Sequence, residues 1–305
     1  MNGERGRIVI TGGTGLIGGR LAGEMAAAGH DVVVLTRSPE CAGLPPGVRA
    51  AGWDAETAAG WGPLADGALG IVHLAGEPIA GRWTAARKRR IRDSRVRSSR
   101  AVLAAIEAAR DKPSWLIQAS GISYYGDRGA EPVTEQTGPG EGFLVDVAIE
   151  WEAATAPAEA LGVRRAVLRT APVLAVEDGL LPRMLPPFKL CLGGPLGSGE
   201  QFMPWIHLAD QVAAIRFLAG NDAARGPFNL VAPEPVTNDE FTRTLGRVLG
   251  RPTVFRVPRF ALRVVLGEMA DTVLESQRAV PEKVEALGFR FRFPRLEPAL
   301  RDLLS

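Results

Sequence analysis

Cysteine is nearly absent from this chain. Cys41 and Cys191 are the only two in 305 residues, too few for a disulfide framework or a structural zinc site. No apolar run approaches the ~18 residues of a membrane span. A signal peptide is also not expected, because Met1–Arg7 is polar and charged. Charge of one sign is lacking too: the formal net charge is +2, which demands no acidic partner. Repeats and low-complexity tracts do not occur. What is present is ordinary for a globular protein, with 46% apolar and 23% charged residues. On the soft prior of ~150 residues per domain, the length suggests two domains. These features predict a soluble, cytoplasmic protein with no metal site.

The most informative stretch is Ile8–Arg20, I-V-I-T-G-G-T-G-L-I-G-G-R. Arg7–Thr11 reads as a buried parallel strand, a short continuous apolar run. Glycines follow at Gly12, Gly15 and Gly18. Glycine permits a tight turn, and without Cβ atoms Gly12 and Gly15 let the backbone approach a pyrophosphate. Gly18 would let the next helix, about Leu16–Ala28, pack on the strand, with its N-terminal N–H groups aimed at the phosphates. A glycine triplet is a weak signal alone. Its place between a strand and a helix makes it a dinucleotide-binding signal.

The second strand, Asp31–Thr36, should deliver the residue that meets the adenosine ribose. An acid there suits the 2′-hydroxyl of NAD, and an arginine suits the 2′-phosphate of NADP. The tip reads Thr36-Arg37-Ser38, with Glu40 the nearest acid. A guanidinium can clamp a phosphate with two parallel hydrogen bonds, so the expected cofactor is NADP(H). A third strand is expected to end at Trp53-Asp54. Asp54 could accept from the adenine amino group, or it could cap Ala55–Ala59. A fourth strand, Gly70–Leu74, runs into the small-residue turn Leu74-Ala75-Gly76, and His73 reads as a packed histidine.

Arg82–Arg100 is the most basic stretch, with nine cations against Asp93 alone. As a helix from about Thr84 to Ala109 it turns Ile91, Val96, Val102, Leu103 and Ile106 inward, which leaves most arginines solvent-facing. An anionic substrate is the alternative use of some of them. Nucleic acid is not the expected partner, since only Trp83 interleaves the cations. A fifth strand, Ser114–Ala119, delivers Ser120-Gly121-Ile122-Ser123-Tyr124-Tyr125-Gly126 at its carboxyl end, where α/β sheets bind ligands. Asp127–Gly142 reads as a substrate-facing loop, Phe143–Leu161 as a helix and Arg164–Arg169 as a sixth strand. Further on, Gly179–Gly199 suggests a substrate lid or a short helix with turns, and a helix runs from His207 to about Ala219. Pro227–Val231 reads as a strand, and Thr237-x-x-Glu240 is a capping box. Pro258–Glu275 and Pro281–Leu287 read as helical, Phe289–Phe293 as strand-like and Leu296–Leu304 as a terminal helix.

Thr11-Gly12-Gly13-Thr14-Gly15-Leu16-Ile17-Gly18, the turn Leu74-Ala75-Gly76 and Tyr125-Gly126 resemble the extended short-chain dehydrogenase/reductases, relatives of nucleotide-sugar epimerases. More narrowly, the chain resembles the atypical YfcH-like epimerase family. The shared pieces are Ala75-Gly76-Glu77-Pro78-Ile79, Arg82-Trp83-Thr84, Ser94-Arg95, Trp151-Glu152, Pro204-Trp205-Ile206-His207 and a tail from Gly267 to Phe289. The resemblance implies a Rossmann-like doubly wound parallel sheet with a smaller C-terminal α/β substrate domain. The expected division is 1–170 for the NADP-binding domain, with 200–232 returning to it, and 171–305 mainly for the substrate domain. Expected cofactor contacts are Gly12, Thr14, Gly15, Leu16, Ile17 and Gly18 in the turn, with Thr36, Arg37, Ser38 and Asp54 on the adenosine side. Leu74, Ala75, Gly76 and Ala119 complete the set.

One departure from the resemblance matters. The superfamily carries Tyr-x-x-x-Lys on the helix after strand five, where the tyrosine moves a proton and the lysine lowers its pKa. Phe143–Ala154 contains neither residue type. By position, Val147 and Trp151 stand in their place. Ser120, Ser123 and Tyr124 are the catalytic candidates that remain, with Asp146 and Glu150 as further options, while Tyr125 reads as structural. The expectation is an NADP(H)-binding oxidoreductase or epimerase-like protein acting on a small molecule, with a nucleotide sugar the class the resemblance implies. The alternative is a catalytically silent NADP(H)-binding sensor or partner-binding module. Relatives of the superfamily pair through the helices that begin here near Thr84 and Phe143, so a monomer or a homodimer is expected.

Overall fold

The computed structural model describes residues 5–41 and 43–305. The chain runs β1 (Arg7–Thr11), α1 (Leu16–Ala27), β2 (Asp31–Thr36), β3 (Val48–Gly52), β4 (Gly70–His73), α2 (Ala85–Ala108) and β5 (Trp115–Gly121). It continues through β6 (Pro132–Val133), α3 (Phe143–Ala153), β7 (Arg164–Thr170), β8 (Val173–Leu174), α4 (Leu181–Lys189), β9 (Ile206–His207), α5 (Leu208–Ala219) and β10 (Gly226–Leu230). It closes with α6 (Asn238–Leu249), α7 (Arg259–Leu266), α8 (Met269–Leu274), β11 (Arg278–Ala279), α9 (Glu282–Ala286) and α10 (Leu296–Leu304).

Seven strands form one sheet in the order β10-β7-β5-β4-β1-β2-β3, and every neighbouring pair is parallel. Their apolar runs are buried because helices cover both faces. On one face Leu21 and Met25 of α1 pack with Val212, Ile215 and Leu218 of α5. On the other, Val102, Ala105 and Ile106 of α2 pack with Trp53 and Trp61. The strand order reverses between β1 and β4. At such a switch point the loops leave the carboxyl ends in opposite directions and open a crevice, the place where these sheets bind ligands.

A third cluster joins α4, α6 and α10 through Leu181, Phe188, Phe241, Leu245, Leu296 and Leu300. Two small sheets tie the later chain to the main one: β11 pairs with β6, and β9 with β8. The capping box at Thr237 is present, with Oγ1 accepting from the Glu240 N–H and the Glu240 carboxylate accepting from the Thr237 N–H. Among the described residues no helix is long and apolar enough to cross a membrane.

Several elements depart from expectation. The helix from Phe143 stops at Ala153, and Ala156–Leu161 forms a separate 3-10 turn. Pro157 has no N–H to continue an α-helical ladder. The stretch after Pro258 is two helices, broken at Gly267, which takes φ +63°. Phe289–Phe293 is not a strand. The Arg292 and Phe293 N–H groups donate to the Asp210 carboxylate, at 2.8 and 2.9 Å, in place of a neighbouring strand. Phe293 stacks on His207 at 4.0 Å between ring centroids.

Candidate active site

The glycine turn closes the end of β1 against the loop after β4. Gly12 has φ +69°, and a Cβ there would stand 2.8 Å from the carbonyl carbon of Leu74. A Cβ on Gly18 would fall 2.3 Å from the Gly12 oxygen. Both glycines are therefore required by the protein's own packing. Gly15 is different: its Cβ would meet only the Gly12 oxygen, at 3.4 Å, and its φ is −89°. Nothing else among the described residues lies within 4 Å of that position. Gly15 is also the N-cap of α1, where no side chain caps the helix and no acid stands in the first turn. The first N–H groups of α1 thus meet open space with the positive end of the helix dipole behind them. Thr14 and Gly15 are exposed, and Leu16 and Ile17 are partly buried. This cradle fits a phosphate group.

His73 holds the second wall of the crevice. The N–H groups of Leu74 and Ala75 donate to Thr11 Oγ1 at 3.1 and 3.2 Å. The Thr11 hydroxyl sits 2.7 Å from His73 Nδ1, and His73 Nε2 lies 3.0 Å from Ser99 Oγ. With Oγ1 already accepting twice, its proton goes to Nδ1, which leaves Nε2–H to donate to Ser99. Burial pulls the His73 pKa down to about 3. His73 is a neutral packed histidine that positions Leu74, Ala75 and Gly76.

On the adenosine side Arg37 is exposed at the tip of β2, with no protein partner among the described residues. The Ser38 N–H donates to Thr36 Oγ1 at 3.3 Å. Asp54 stands just past β3 and caps the following turn. Its Oδ1 accepts from the Glu56 and Thr57 N–H groups, both at 2.8 Å, and its Oδ2 from the Thr57 hydroxyl at 2.7 Å. The Thr57 hydroxyl and those two N–H groups lower its pKa. Of the two uses open to Asp54, the cap is the one with bonds in place.

At the carboxyl end of β5 the candidates separate. Ser120 is buried, and its Oγ donates to Glu152 Oε1 at 2.7 Å. Ser120 is therefore not a free hydroxyl. Arg169 of β7 grips the same carboxylate, Nε to Oε1 at 3.0 Å and Nη2 to Oε2 at 2.9 Å. Its Nη1 donates to the Tyr125 hydroxyl at 2.9 Å, which donates in turn to Asn229 Oδ1 at 2.7 Å. Burial pushes the Tyr125 phenol up to about 12, so it stays a neutral structural donor. Tyr124 is partly exposed, and among the described residues no hydrogen bond engages its hydroxyl. Its ring lies on Arg169, with Cζ 3.5 Å from the centroid. Ser123 is also partly exposed, next to it. Ala119 is partly buried within β5.

Helix α3 offers no proton donor at the positions that lack Tyr and Lys. Val147 is buried with Trp83, Ile91 and Leu144 between α2 and α3. Trp151 is buried too, with the Arg95 guanidinium over its ring at 4.9 Å. Gln118 Nε2 donates to the Trp151 carbonyl at 2.5 Å and so ties α3 to β5. Most cations of α2 do face solvent: Arg92 pairs with Glu150 and Arg97 with Glu56. Arg87 and Arg95 instead turn inward onto main-chain carbonyls. Sequence reasoning assigned no task to Glu152, Arg169 or Arg95. The signal for Arg169 was an arginine directly after the apolar run Ala166–Leu168 of β7, where an unpaired charge would not be tolerated.

Comparison with known proteins agrees with this architecture. Residues 8–230 match the NAD dependent epimerase/dehydratase family, and residues 257–303 match a domain of unknown function, DUF1731. The chain is 38% identical to epimerase family protein Mb2239 of Mycobacterium bovis over 299 residues, covering 96% of each chain. It is likewise 38% identical to epimerase family protein YfhF of Bacillus subtilis, covering 98% of each. It is similar to the structure of human epimerase family protein SDR39U1 with NADPH, at a TM-score of 0.88 and 33% identity over 97% of this chain and 98% of that one. It is similar as well to the nucleoside-diphosphate sugar epimerase from Corynebacterium glutamicum, at a TM-score of 0.80 and 32% identity, covering 99% of this chain and 58% of that one.

Proposed function

The chain belongs to the NAD-dependent epimerase/dehydratase family, and from that premise we propose that it binds NADPH and performs oxidoreductase or epimerase-like chemistry on a nucleotide sugar or similar small molecule. The observation that carries the cofactor is the pairing of Gly15 with Arg37. Gly15 lacks a packing reason to be glycine among the described residues, and it leaves the N-terminal N–H groups of α1 open to a phosphate. Arg37 stands exposed at the tip of β2, without a partner among the described residues and with no acid beside it, available to a 2′-phosphate. The human relative bound to NADPH supports the same choice, and the Corynebacterium glutamicum relative supports the substrate class.

In this reading the first N–H groups of α1 and the Gly12–Gly18 turn hold the pyrophosphate, and Arg37 holds the 2′-phosphate. Asp54 orders the loop beneath the adenosine. Thr11 and His73 fix Leu74–Gly76 as the opposite wall. When bound, the reduced cofactor would donate hydride to a substrate carbon, and its oxidised form would accept hydride from one. Tyr124 is the hydroxyl free to move the accompanying proton, and its ring is held in place on the Arg169 guanidinium. Glu152 and Ser120 keep Arg169 in place.

One observation favours a second reading, an NADPH-binding protein without turnover. Ser120 is engaged by Glu152, and Val147 and Trp151 are packed where the superfamily's proton-moving pair would stand. A screen of NADPH with aldehydes, ketones and nucleotide sugars separates the two. Oxidation of the cofactor, or redox-neutral epimerisation of a nucleotide sugar, that Tyr124→Phe abolishes supports the enzyme. Binding without turnover by any class, together with a partner retained only in the presence of NADPH, supports the sensor.

A further inference from the structure

Arg95 stands apart from the ion pairs of α2, with Glu77 the carboxylate whose charge reaches it. Among the described residues it makes no ion pair within 4.0 Å, although it is partly buried. Its only hydrogen bonds leave from Nη1, to the carbonyls of Glu77 at 3.0 Å and Ile91 at 2.9 Å. Among the described residues nothing accepts from Nε or Nη2. Neither atom is among the fully buried side-chain nitrogens without a partner, so this edge stays open to a ligand. Burial is felt: it draws the Arg95 pKa down to about 10.

The guanidinium is nevertheless held firmly. One face lies over the Trp151 ring, 4.9 Å from Cζ to the centroid. The other side meets Gly76, where a Cβ would stand 3.2 Å from Cζ and 3.4 Å from Nη2. Gly76 thus makes room for the arginine, and Nη2 lies beside the backbone of the loop after β4. That loop rests on the Gly12 turn, since a Gly12 Cβ would touch Leu74 and Ala75. Arg95 therefore borders the same crevice as Gly12 and Gly15. It stands on the β4–β5 side, opposite Arg37 at the tip of β2.

We propose that the Nε and Nη2 edge of Arg95 binds the ribose and phosphate oxygens of the nicotinamide half of NADPH, and so supplies from α2 the positive charge that α3 lacks. This rests on the reading that the crevice holds NADPH. Arg37 and Arg95 then grip opposite ends of one ligand. Trp151 is a positioning residue, a flat support that keeps the guanidinium edge-on to the crevice.

The test compares NADPH with 2′,5′-ADP, which carries the 2′-phosphate but no nicotinamide half. Both are titrated by calorimetry into wild type, Arg95→Gln and Arg95→Lys without substrate, and thermal unfolding of each variant is recorded. Loss of a charge-assisted hydrogen bond is expected to weaken NADPH about tenfold or more in Arg95→Gln. Affinity for 2′,5′-ADP should stay unchanged. Arg95→Lys keeps the charge but loses the planar fork, and should weaken NADPH less while again sparing 2′,5′-ADP. A folded variant that binds NADPH as wild type does overturns the proposal, as does equal weakening of both ligands, which marks a structural role. Wild type that binds neither ligand removes the cofactor reading itself, and this inference with it.

Discussion

The Arg169 guanidinium rests on the ring of Tyr124, with Cζ 3.5 Å from the centroid, while two of its nitrogens grip the Glu152 carboxylate. The arrangement joins β7, α3 and the turn after β5. Both partners are shielded, with side-chain exposures of 5% for Arg169 and 15% for Glu152. Removing one member of such a pair leaves the other charge buried and uncompensated, a loss of about 3–5 kcal/mol. Glu152→Gln is therefore expected to lower the urea midpoint strongly. Tyr124→Phe, which removes an unbonded hydroxyl, should leave the midpoint unchanged. Equal midpoints for Glu152→Gln and wild type would show that the pair carries no net stability.

The glycines of the first turn should separate folding from binding. Gly18→Ala places a Cβ 2.3 Å from the Gly12 oxygen, and overpacking of this kind costs about 1–3 kcal/mol. Gly15→Ala meets no such contact and keeps an ordinary φ of −89°. It should melt as wild type does, yet lose most of its NADPH affinity, because its methyl group enters the cradle. Unimpaired NADPH binding by Gly15→Ala would show that no phosphate lies there.

Arg37 governs cofactor choice in this reading. Its exposure predicts no change in melting temperature for Arg37→Ala. A charge-assisted contact to phosphate contributes about 1.5–3 kcal/mol, so fluorescence titration should show NADPH affinity falling toward that for NADH. A preference for NADPH that survives the substitution would place the 2′-phosphate elsewhere.

His73 makes stability depend on pH in a stated direction. Its folded pKa, about 3, lies below the ordinary 6.5. Between those values the unfolded chain binds the proton that the folded one refuses, so stability rises with pH there. The contribution is complete above about 6.5 and is lost as pH falls toward 3. Each unit is about 1.4 kcal/mol. Glu275 acts in the opposite sense, since burial and then Asp127 and Asp271 push it up to about 7. The two are separated by comparing wild type with His73→Gln. The variant should be less stable at neutral pH, and by chemical denaturation its stability should rise less, or fall more, than that of wild type as pH goes from 4 to 6. An unchanged slope would mean that His73 does not titrate with unfolding.

The amino-acid sequence determined the local framework. Apolar runs such as Ile8–Ile10 and Val32–Leu35 are buried on both sides, so strand identity follows from composition alone. Gly12 and Gly18 were legible as a turn because their constraint is steric and local. The tip Thr36-Arg37-Ser38 was legible because it directly follows a strand. What only the tertiary structure decided is who meets whom. Asp210 draws the N–H groups of Arg292 and Phe293 away from any strand, across 82 residues of chain. Glu152 claims the hydroxyl of Ser120 and the guanidinium of Arg169, and Arg95 settles between Gly76 and Trp151. These are pairings of polar groups far apart in sequence, fixed by parallel crossovers and by the cost of burying a charge unpaired. Periodicity carries no record of such pairings, since it reports which face of an element is buried and not what is buried against it.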